Sequence, residues 1–230
     1  MNSATGTTEA PAAKKSSAKP TRHHKVVIVG GGNAGISVAA RLCKTLADGD
    51  VAIIEPSATH YYQPMWTLVG AGVVDKQTTA RSEASVIPSG AKWIKARVDR
   101  LDPENDQVIT SDGEAIGYDQ LVVAAGLELH WDGVKGLAGA VGRAEVCSNY
   151  DFDHVDYTWQ TIKNFKGGTA LFTMPPPPIK CAGAPQKIMY LAEEYFQKSG
   201  VRKKTNVVFA TPGSVIFGTK EFATELTRII

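Results

Sequence analysis

The stretch Val26-Val27-Ile28-Val29-Gly30-Gly31-Gly32-Asn33-Ala34-Gly35 decides the fold of this chain. Four β-branched residues in a row predict a strand that is buried on both faces of a sheet. The glycines follow at once with the spacing G-x-G-x-x-G, and a helical apolar pattern begins at Ile36. A second buried strand pattern, Val51–Ile54, follows the helix. The order strand, glycine turn, helix, strand predicts a βαβ unit of an α/β fold.

Each glycine of this turn has a separate physical role in the predicted unit. Gly30 permits the tight turn, Gly32 lets a pyrophosphate approach the backbone, and Gly35 lets helix and strand pack closely. Asn33 and Ala34 complete the turn at the helix N-terminus, whose N–H groups and dipole attract phosphate. Glu55 ends the second strand and can accept hydrogen bonds from ribose hydroxyls. The turn by itself leaves FAD, NAD and a purely structural turn open.

Further elements extend the α/β pattern toward the C-terminus of the chain. The strand pattern Tyr118–Gly126 resembles the second FAD-contacting strand of two-domain flavin reductases, with Ala125 where those proteins carry Thr. Gly126 is therefore a candidate FAD contact. Other predicted elements are one strand over Trp93–Leu101, a strand over Gln107–Thr110, a helix over Asp156–Phe165, a strand over Thr169–Met174, a helix over Gly183–Lys198, a strand over Asn206–Ala210 and a last helix from Lys220.

These patterns predict two Rossmann-like domains, an FAD/NAD(P)-binding fold with two dinucleotide-binding domains. We expect an FAD-binding domain over residues 23–150 and an incomplete second domain over residues 151–230. Residues 1–22 are rich in Ser, Thr, Ala and Lys and carry Glu9 as their only acid. Such a segment predicts a flexible tail or a transit-like peptide.

The most unusual stretch is Pro175-Pro176-Pro177-Pro178-Ile179-Lys180-Cys181-Ala182-Gly183-Ala184-Pro185. Consecutive prolines favour a stiff polyproline II segment, and Pro185 suits the start of a helix. Cys181 therefore precedes a helix N-terminus and has Lys180 beside it. The dipole and the cation both favour a thiolate, which makes Cys181 the candidate reactive thiol. Cys43 and Cys147 lack such a setting and are expected to be structural.

The proline run also occupies the place where a second glycine fingerprint would bind NAD(P)H. Proline has no N–H to donate to a pyrophosphate. The second domain is therefore expected to have exchanged nicotinamide binding for a thiol. A flavin and a thiol without a nicotinamide site need another reductant, and a sulfur compound is the natural candidate.

The composition excludes several other classes of protein. A hydrophobic share of 43% and a charged share of 21% are typical of a globular chain. The formal charge of +2 gives no reason to expect nucleic acid. No apolar run reaches the ~18 residues of a membrane-spanning helix. No ligand set for a metal is apparent in the sequence.

Three segments together resemble mitochondrial-type sulfide:quinone oxidoreductases of the flavoprotein disulfide reductase superfamily. They are residues 60–72 (HYYQPMWTLVGAG), 84–90 (ASVIPSG) and 180–191 (KCAGAPQKIMYL). The resemblance implies FAD bound by Gly30, Gly32, Asn33, Ala34, Gly35, Glu55, Gln63 and Val98. It also implies that Cys181 becomes a persulfide when hydrosulfide attacks a sulfur bridging two cysteines.

The same resemblance implies the partners of the reaction. Electrons would pass through FAD to ubiquinone, and glutathione or sulfite would accept the sulfane sulfur. Location at the mitochondrial inner membrane, as a peripheral protein, is also implied. Family chains are roughly twice as long, so this chain is expected to lack the C-terminal half with the second cysteine and the membrane-facing helices. The alternatives are a non-catalytic flavin-binding protein and a type II NADH dehydrogenase-like reductase.

Overall fold

A computed structural model describes residues 19–176 and 179–229. The strands are β1 (Arg22–Val29), β2 (Val51–Ile54), β3 (Thr59–Tyr61), β4 (Ala80–Ser82), β5 (Ala91–Ile94), β6 (Val98–Asp102), β7 (Gln107–Thr110), β8 (Ala115–Val123), β9 (Gly168–Thr173) and β10 (Thr205–Ala210). The α-helices are α1 (Asn33–Leu42), α2 (Trp66–Gly70), α3 (Val155–Asn164), α4 (Ala184–Lys198) and α5 (Lys220–Ile229).

The described residues form two compact units. Unit 1 contains the chain up to Ser57 together with Ile87–Ala125. Unit 2 contains Ala58–Val86 and the chain from Gly126 onward. Contacts therefore group residues 58–86 and 126–150 with unit 2, whereas the predicted division at residue 150 followed the order of the strand and helix motifs. The two-domain assignment of residues 23–150 and 151–230 remains a prediction about dinucleotide-binding domains.

Unit 1 is built on a six-stranded sheet with the order β5-β2-β1-β8-β7-β6. The strands β5, β2, β1 and β8 are parallel, whereas β7 and β6 continue the sheet as antiparallel neighbours. Parallel strands need a crossover connection, and α1 supplies it between β1 and β2. This arrangement confirms the predicted α/β class and its first βαβ unit.

Alternation along the parallel strands separates two apolar clusters, one on each face of the sheet. Val27 and Val29 of β1 pack in one cluster with Val108 of β7 and Ile116 of β8. Val26 and Ile28 pack in the other cluster with residues of α1, including Ala39. Because successive strand residues point to opposite faces, the unbroken apolar run of β1 is explained by burial on both sides.

Unit 2 contains the second αβ pattern that the sequence predicted. Strands β9 and β10 are parallel, and α4 connects them. Ile188, Ala192 and Phe196 recur along one face of α4 and pack in a cluster with Ile162 of α3. A small antiparallel pair, β3 and β4, belongs to the same unit. The helices and strands predicted over residues 156–229 are confirmed to within two residues at each reported end.

Several boundaries differ from the sequence prediction. The strand predicted over Tyr118–Gly126 is β8, which begins and ends three residues earlier, at Ala115 and Val123. The single strand predicted over Trp93–Leu101 is wrong, because β5 ends at Ile94 and β6 starts at Val98. A bond from the Ala96 N–H to the Ile94 carbonyl, 2.9 Å long, turns the chain between them. The first strand begins at Arg22, inside the predicted tail, and Arg22 binds Glu114 at 2.6 Å. Residues 1–18 of that tail, together with Pro177, Pro178 and Ile230, lie outside the described residues.

Candidate functional site

The glycine turn lies at the carboxyl ends of the parallel strands. The Gly30 N–H donates to the Ile54 carbonyl of β2 at 2.9 Å, and the Ala124 N–H donates to the Val29 carbonyl at 2.8 Å. The turn is therefore attached to the strand on each side of β1. In open α/β sheets, ligands bind at this edge.

Gly30 and Gly35 are required by close contacts within the turn. Gly30 has φ +106°, and a Cβ there would lie 2.3 Å from the Ala124 carbonyl oxygen. A Cβ on Gly35 would lie 1.9 Å from the Gly30 carbonyl oxygen. These distances leave no room for any side chain, so both positions confirm the steric reasons expected from the spacing.

The turn has the properties of a phosphate-binding cradle. Gly32, Asn33 and Ala34 are exposed, and a Cβ on Gly32 would meet no heavy atom within 4 Å. Gly32 is the N-cap of α1 and, because it has no side chain, makes no capping hydrogen bond to the helix. The first turn of α1 carries no acidic residue. An open helix N-terminus without a competing carboxylate suits a pyrophosphate, so the residues present fit a dinucleotide.

Glu55 connects the end of β2 with the glycine turn. Its Oε2 accepts from the Gly31 N–H at 2.8 Å, and its Oε1 accepts from the Ser57 N–H at 2.8 Å. A carboxylate has about four acceptor sites. Glu55 therefore retains acceptor capacity for the ribose hydroxyls while both backbone bonds fix its orientation.

The other expected FAD contacts are distributed over both units. Val98 begins β6 in unit 1 and packs half-buried against the cluster that contains Val29. Gly126 lies in unit 2, three residues beyond the end of β8, with φ +76° and open space at its Cβ position. Gln63 also lies in unit 2, in the 3₁₀ turn Gln63–Met65. Their roles toward FAD remain predictions.

Cys181 lies in unit 2, directly before α4. Cys181 is exposed. Its carbonyl accepts a hydrogen bond from the Ala184 N–H, at the start of the helix, at 2.9 Å. Pro185 is the second residue of α4, in the first turn that tolerates proline. Cys181 has φ +55°, a left-handed conformation that residues with a Cβ rarely adopt.

Tyr150 is a neighbour of Cys181 that the sequence did not identify. Its hydroxyl donates to the Lys180 carbonyl at 2.9 Å and approaches the Cys181 carbonyl at 3.4 Å. Burial raises the pKa of Tyr150 to about 12, and the negative charge of the Cys181 thiolate adds to the effect. Tyr150 precedes Cys181 by 31 residues in a loop without periodic pattern, so no local signal pointed to it.

Lys180 has a second contact that the sequence did not predict. Its ammonium donates to the Oε1 of Gln63, and Gln63 donates through Nε2 to the Tyr150 carbonyl at 3.2 Å. Burial lowers the pKa of Lys180, whereas attraction to the Cys181 thiolate opposes that change. Both ends of the Gln63 carboxamide are therefore hydrogen-bonded within unit 2, the oxygen to the Lys180 side chain and the nitrogen to the Tyr150 backbone.

A strand, a G-x-G-x-x-G turn, a helix and an acid at the end of the next strand define the dinucleotide-binding class of α/β proteins. Within that class, a family model described as pyridine nucleotide-disulphide oxidoreductase matches residues 24–157. The chain belongs to this family. Membership implies a flavin-binding protein, and it confirms the predicted FAD/NAD(P)-binding fold.

Curated relatives and a solved structure show which kind of family member the chain resembles. The chain is 46% identical over 208 residues to the mitochondrial sulfide:quinone oxidoreductase of Mus musculus and 45% identical over 202 residues to that of Dictyostelium discoideum. The two matches cover 90% and 87% of this chain, but only 46% and 45% of the respective relatives. The chain thus spans about half the length of the curated relatives it matches. These matches confirm the resemblance predicted from the three motifs.

The solved sulfide:quinone oxidoreductase of Aquifex aeolicus shares the fold. Its TM-score is 0.71 at 20% identity, over 91% of this chain and 48% of that one. Across the described ranges, no helix combines the length and apolarity that a membrane crossing requires. Within the same ranges, no three His, Cys, Asp or Glu side chains gather in a way that could hold a metal ion.

Proposed function

We propose that this chain supplies the FAD-binding and sulfide-reacting part of a sulfide:quinone oxidoreductase. The observation that carries the proposal is the position of Cys181 between β9 and α4 of the second βαβ unit. A nicotinamide-binding family member would need a glycine turn there, whereas this chain has prolines and a cysteine. The named relatives, at 45–46% identity, support the same activity.

The proposed chemistry of Cys181 is nucleophilic sulfur exchange. With the Cys181 sulfur in a disulfide or a bridging polysulfide, hydrosulfide attacks that sulfur. A new S–S bond forms, the old S–S bond breaks, and the leaving sulfur departs as a thiolate with the bonding electron pair. A persulfide then remains on Cys181, and the sulfide sulfur has been oxidised by two electrons.

FAD is the proposed cofactor, and when bound it supplies a two-electron acceptor. Gly30, Gly32, Asn33, Ala34 and Gly35 would hold its pyrophosphate, while Glu55 would bind the adenosine ribose. Val98, Gln63 and Gly126 are proposed further contacts. The chain's own residues orient the cofactor and the thiol, and the redox chemistry is that of the flavin.

The remaining partners follow from the same proposed activity. Ubiquinone would remove the electrons, and glutathione or sulfite would accept the sulfane sulfur from Cys181. The relatives are named as mitochondrial proteins, which supports a mitochondrial location for this chain. We propose peripheral association with the inner membrane.

The visible spectrum of the purified chain tests this function. With Cys181 first converted to a mixed disulfide, bound flavin should lose its visible absorbance on anaerobic addition of sulfide and should keep it with NADH. Bleaching by NADH would favour a type II NADH dehydrogenase-like reductase. A chain that binds flavin but responds to neither reductant would be a non-catalytic flavin-binding protein, and both outcomes contradict the proposal.

Two cysteine variants sharpen the test. Cys181→Ser should retain bound flavin and lose the bleaching by sulfide, because the variant changes only the thiol that is proposed to carry the persulfide. Cys147→Ser changes another exposed cysteine of unit 2 and should bleach as the parent chain does. Equal bleaching in both variants would refute the role of Cys181.

A further inference from the structure

The backbone that carries Cys181 is held by a side chain from a distant loop. The Tyr150 hydroxyl donates to the Lys180 carbonyl at 2.9 Å and lies 3.4 Å from the Cys181 carbonyl. The shorter contact is a full hydrogen bond, and the longer one shares the same hydrogen. One phenol thus reaches both carbonyls at the reactive thiol.

Gln63 closes these contacts into a ring. Its Nε2 donates to the Tyr150 carbonyl at 3.2 Å, and its Oε1 accepts from the Lys180 ammonium. Tyr150 in turn binds the Lys180 carbonyl through its hydroxyl. We call Gln63, Tyr150 and Lys180 the thiol bracket. Its three members come from separate parts of unit 2 and converge next to Cys181.

Cys181 has a conformation that needs such support. Its φ of +55° lies in the left-handed region, where a Cβ crowds the following carbonyl oxygen. Residues in this region persist where surrounding contacts over-determine them, and they concentrate at functional sites. The hydrogen bonds of the thiol bracket are contacts of this kind.

We propose that Tyr150 is a positioning residue for Cys181. Its hydroxyl fixes the Lys180–Cys181 backbone in the left-handed turn, and Gln63 keeps the Lys180 ammonium beside that turn. The thiol is thereby presented in one orientation next to a cation. This inference rests on the proposed function only for the use to which the thiol is put.

The electrostatics of the bracket agree with this geometry. Burial raises the pKa of Tyr150 to about 12, so the phenol stays protonated and donates its hydrogen throughout the neutral range. Burial lowers the pKa of Lys180, and attraction to the Cys181 thiolate offsets part of that change.

The alkylation rate of each cysteine, followed by peptide mass spectrometry, tests the proposal. The full chain is treated with iodoacetamide at pH 7.5, and Cys147 of the same molecules serves as an internal reference. Tyr150→Phe should alkylate Cys181 about fivefold more slowly, the scale of one lost hydrogen bond. The rate at Cys147 should stay unchanged, because the variant leaves the surroundings of that thiol intact.

Tyr157→Phe is the matched control for the loss of a phenol. Tyr157 is also half-buried in unit 2, and its hydroxyl accepts from the Glu145 N–H at 3.0 Å, away from the thiol bracket. This variant should alkylate Cys181 at the parent rate. A parent rate in Tyr150→Phe, or an equal slowing in Tyr157→Phe, would overturn the proposal.

If Tyr150→Phe does not unfold cooperatively on heating, the variant is not properly folded, and a second variant is used to test the same proposal. Gln63→Ala removes both bonds of the Gln63 carboxamide and should slow alkylation of Cys181 in the same direction; a parent rate would refute the bracket. Alkylation requires neither sulfide nor quinone. Its outcome therefore stands apart from the sulfide bleaching that tests the proposed function.

Discussion

Glu55 accepts a hydrogen bond from the Gly31 N–H at 2.8 Å, across 24 residues of sequence. This bond fastens the acid at the end of β2 to the middle of the glycine turn at the end of β1. The carboxylate is also held by the Ser57 N–H at 2.8 Å. The acid proposed to bind the ribose and the turn proposed to bind the pyrophosphate are therefore held together before any ligand binds.

Glu55→Gln should weaken FAD binding. The amide replaces one carboxylate oxygen with a donor, so one of the two backbone N–H groups loses its acceptor. Loss of a hydrogen bond to a charged group costs about 1.5–3 kcal/mol, which corresponds to about a tenfold to hundredfold weaker affinity. Titration of the apoprotein with FAD, followed by flavin fluorescence, measures the change. The exposed Glu104 in unit 1 provides a control, since Glu104→Gln should bind FAD as the parent does.

Gly32→Ala and Gly35→Ala should have different consequences although both change one glycine of the turn. A Cβ on Gly35 would lie 1.9 Å from a backbone oxygen, so Gly35→Ala should lower the free energy of unfolding by about 2 kcal/mol or more. A Cβ on Gly32 meets open space, so Gly32→Ala should keep the parent melting temperature and lose FAD affinity. Thermal unfolding and FAD titration separate the two effects. Equal FAD affinity in Gly32→Ala and the parent would contradict the pyrophosphate site.

Acid should weaken unit 1 partly through Asp102. Hydrogen bonds from Gln107, at 3.1 Å, and from Asn105, at 2.9 Å, lower the pKa of its carboxyl. A carboxylate with a depressed folded pKa contributes stability above the unfolded value of about 3.9, and that stability is lost as the pH falls through the folded pKa. The Asp102→Asn variant should therefore be less stable at neutral pH and lose less stability on acidification.

Urea unfolding at about pH 7 and about pH 3 measures this linkage. Asp99→Asn changes an exposed residue of the same strand and should retain the pH dependence of the parent. An Asp102→Asn variant with the same pH dependence as the parent would show that the hydrogen bonds to Asp102 do not stabilise its ionised form.

The parts of the fold that follow from local pattern could be predicted from the sequence. The buried run of β1 and the spacing of Gly30, Gly32 and Gly35 specify a βαβ unit without any information from distant residues. The break between β5 and β6 could not be predicted in this way. Lys95 and Arg97 alternate with apolar residues, so the strand pattern that includes Trp93 continues across the break without interruption. The two segments nevertheless pair with different strands, and the choice of partner strand is a long-range property.

The candidate site was predictable to a similar extent. The proline run and the start of α4 pointed to Cys181 by position alone. Tyr150 and the second contact of Lys180 were missed, because they depend on hydrogen bonds between loops that lie 30 and 117 residues apart in sequence. The left-handed φ of Cys181 was equally hidden, since cysteine has no intrinsic preference for that conformation.

Trapping of the persulfide is the most direct measurement of the central claim. The flavin-loaded chain, with Cys181 first converted to a mixed disulfide, is treated with sulfide and then with iodoacetamide before peptide mass spectrometry. We predict that the Cys181 peptide gains the mass of one sulfur atom, while the Cys43 and Cys147 peptides do not. A Cys181 peptide without the added sulfur, or equal sulfur on Cys147, would contradict the proposed role of Cys181.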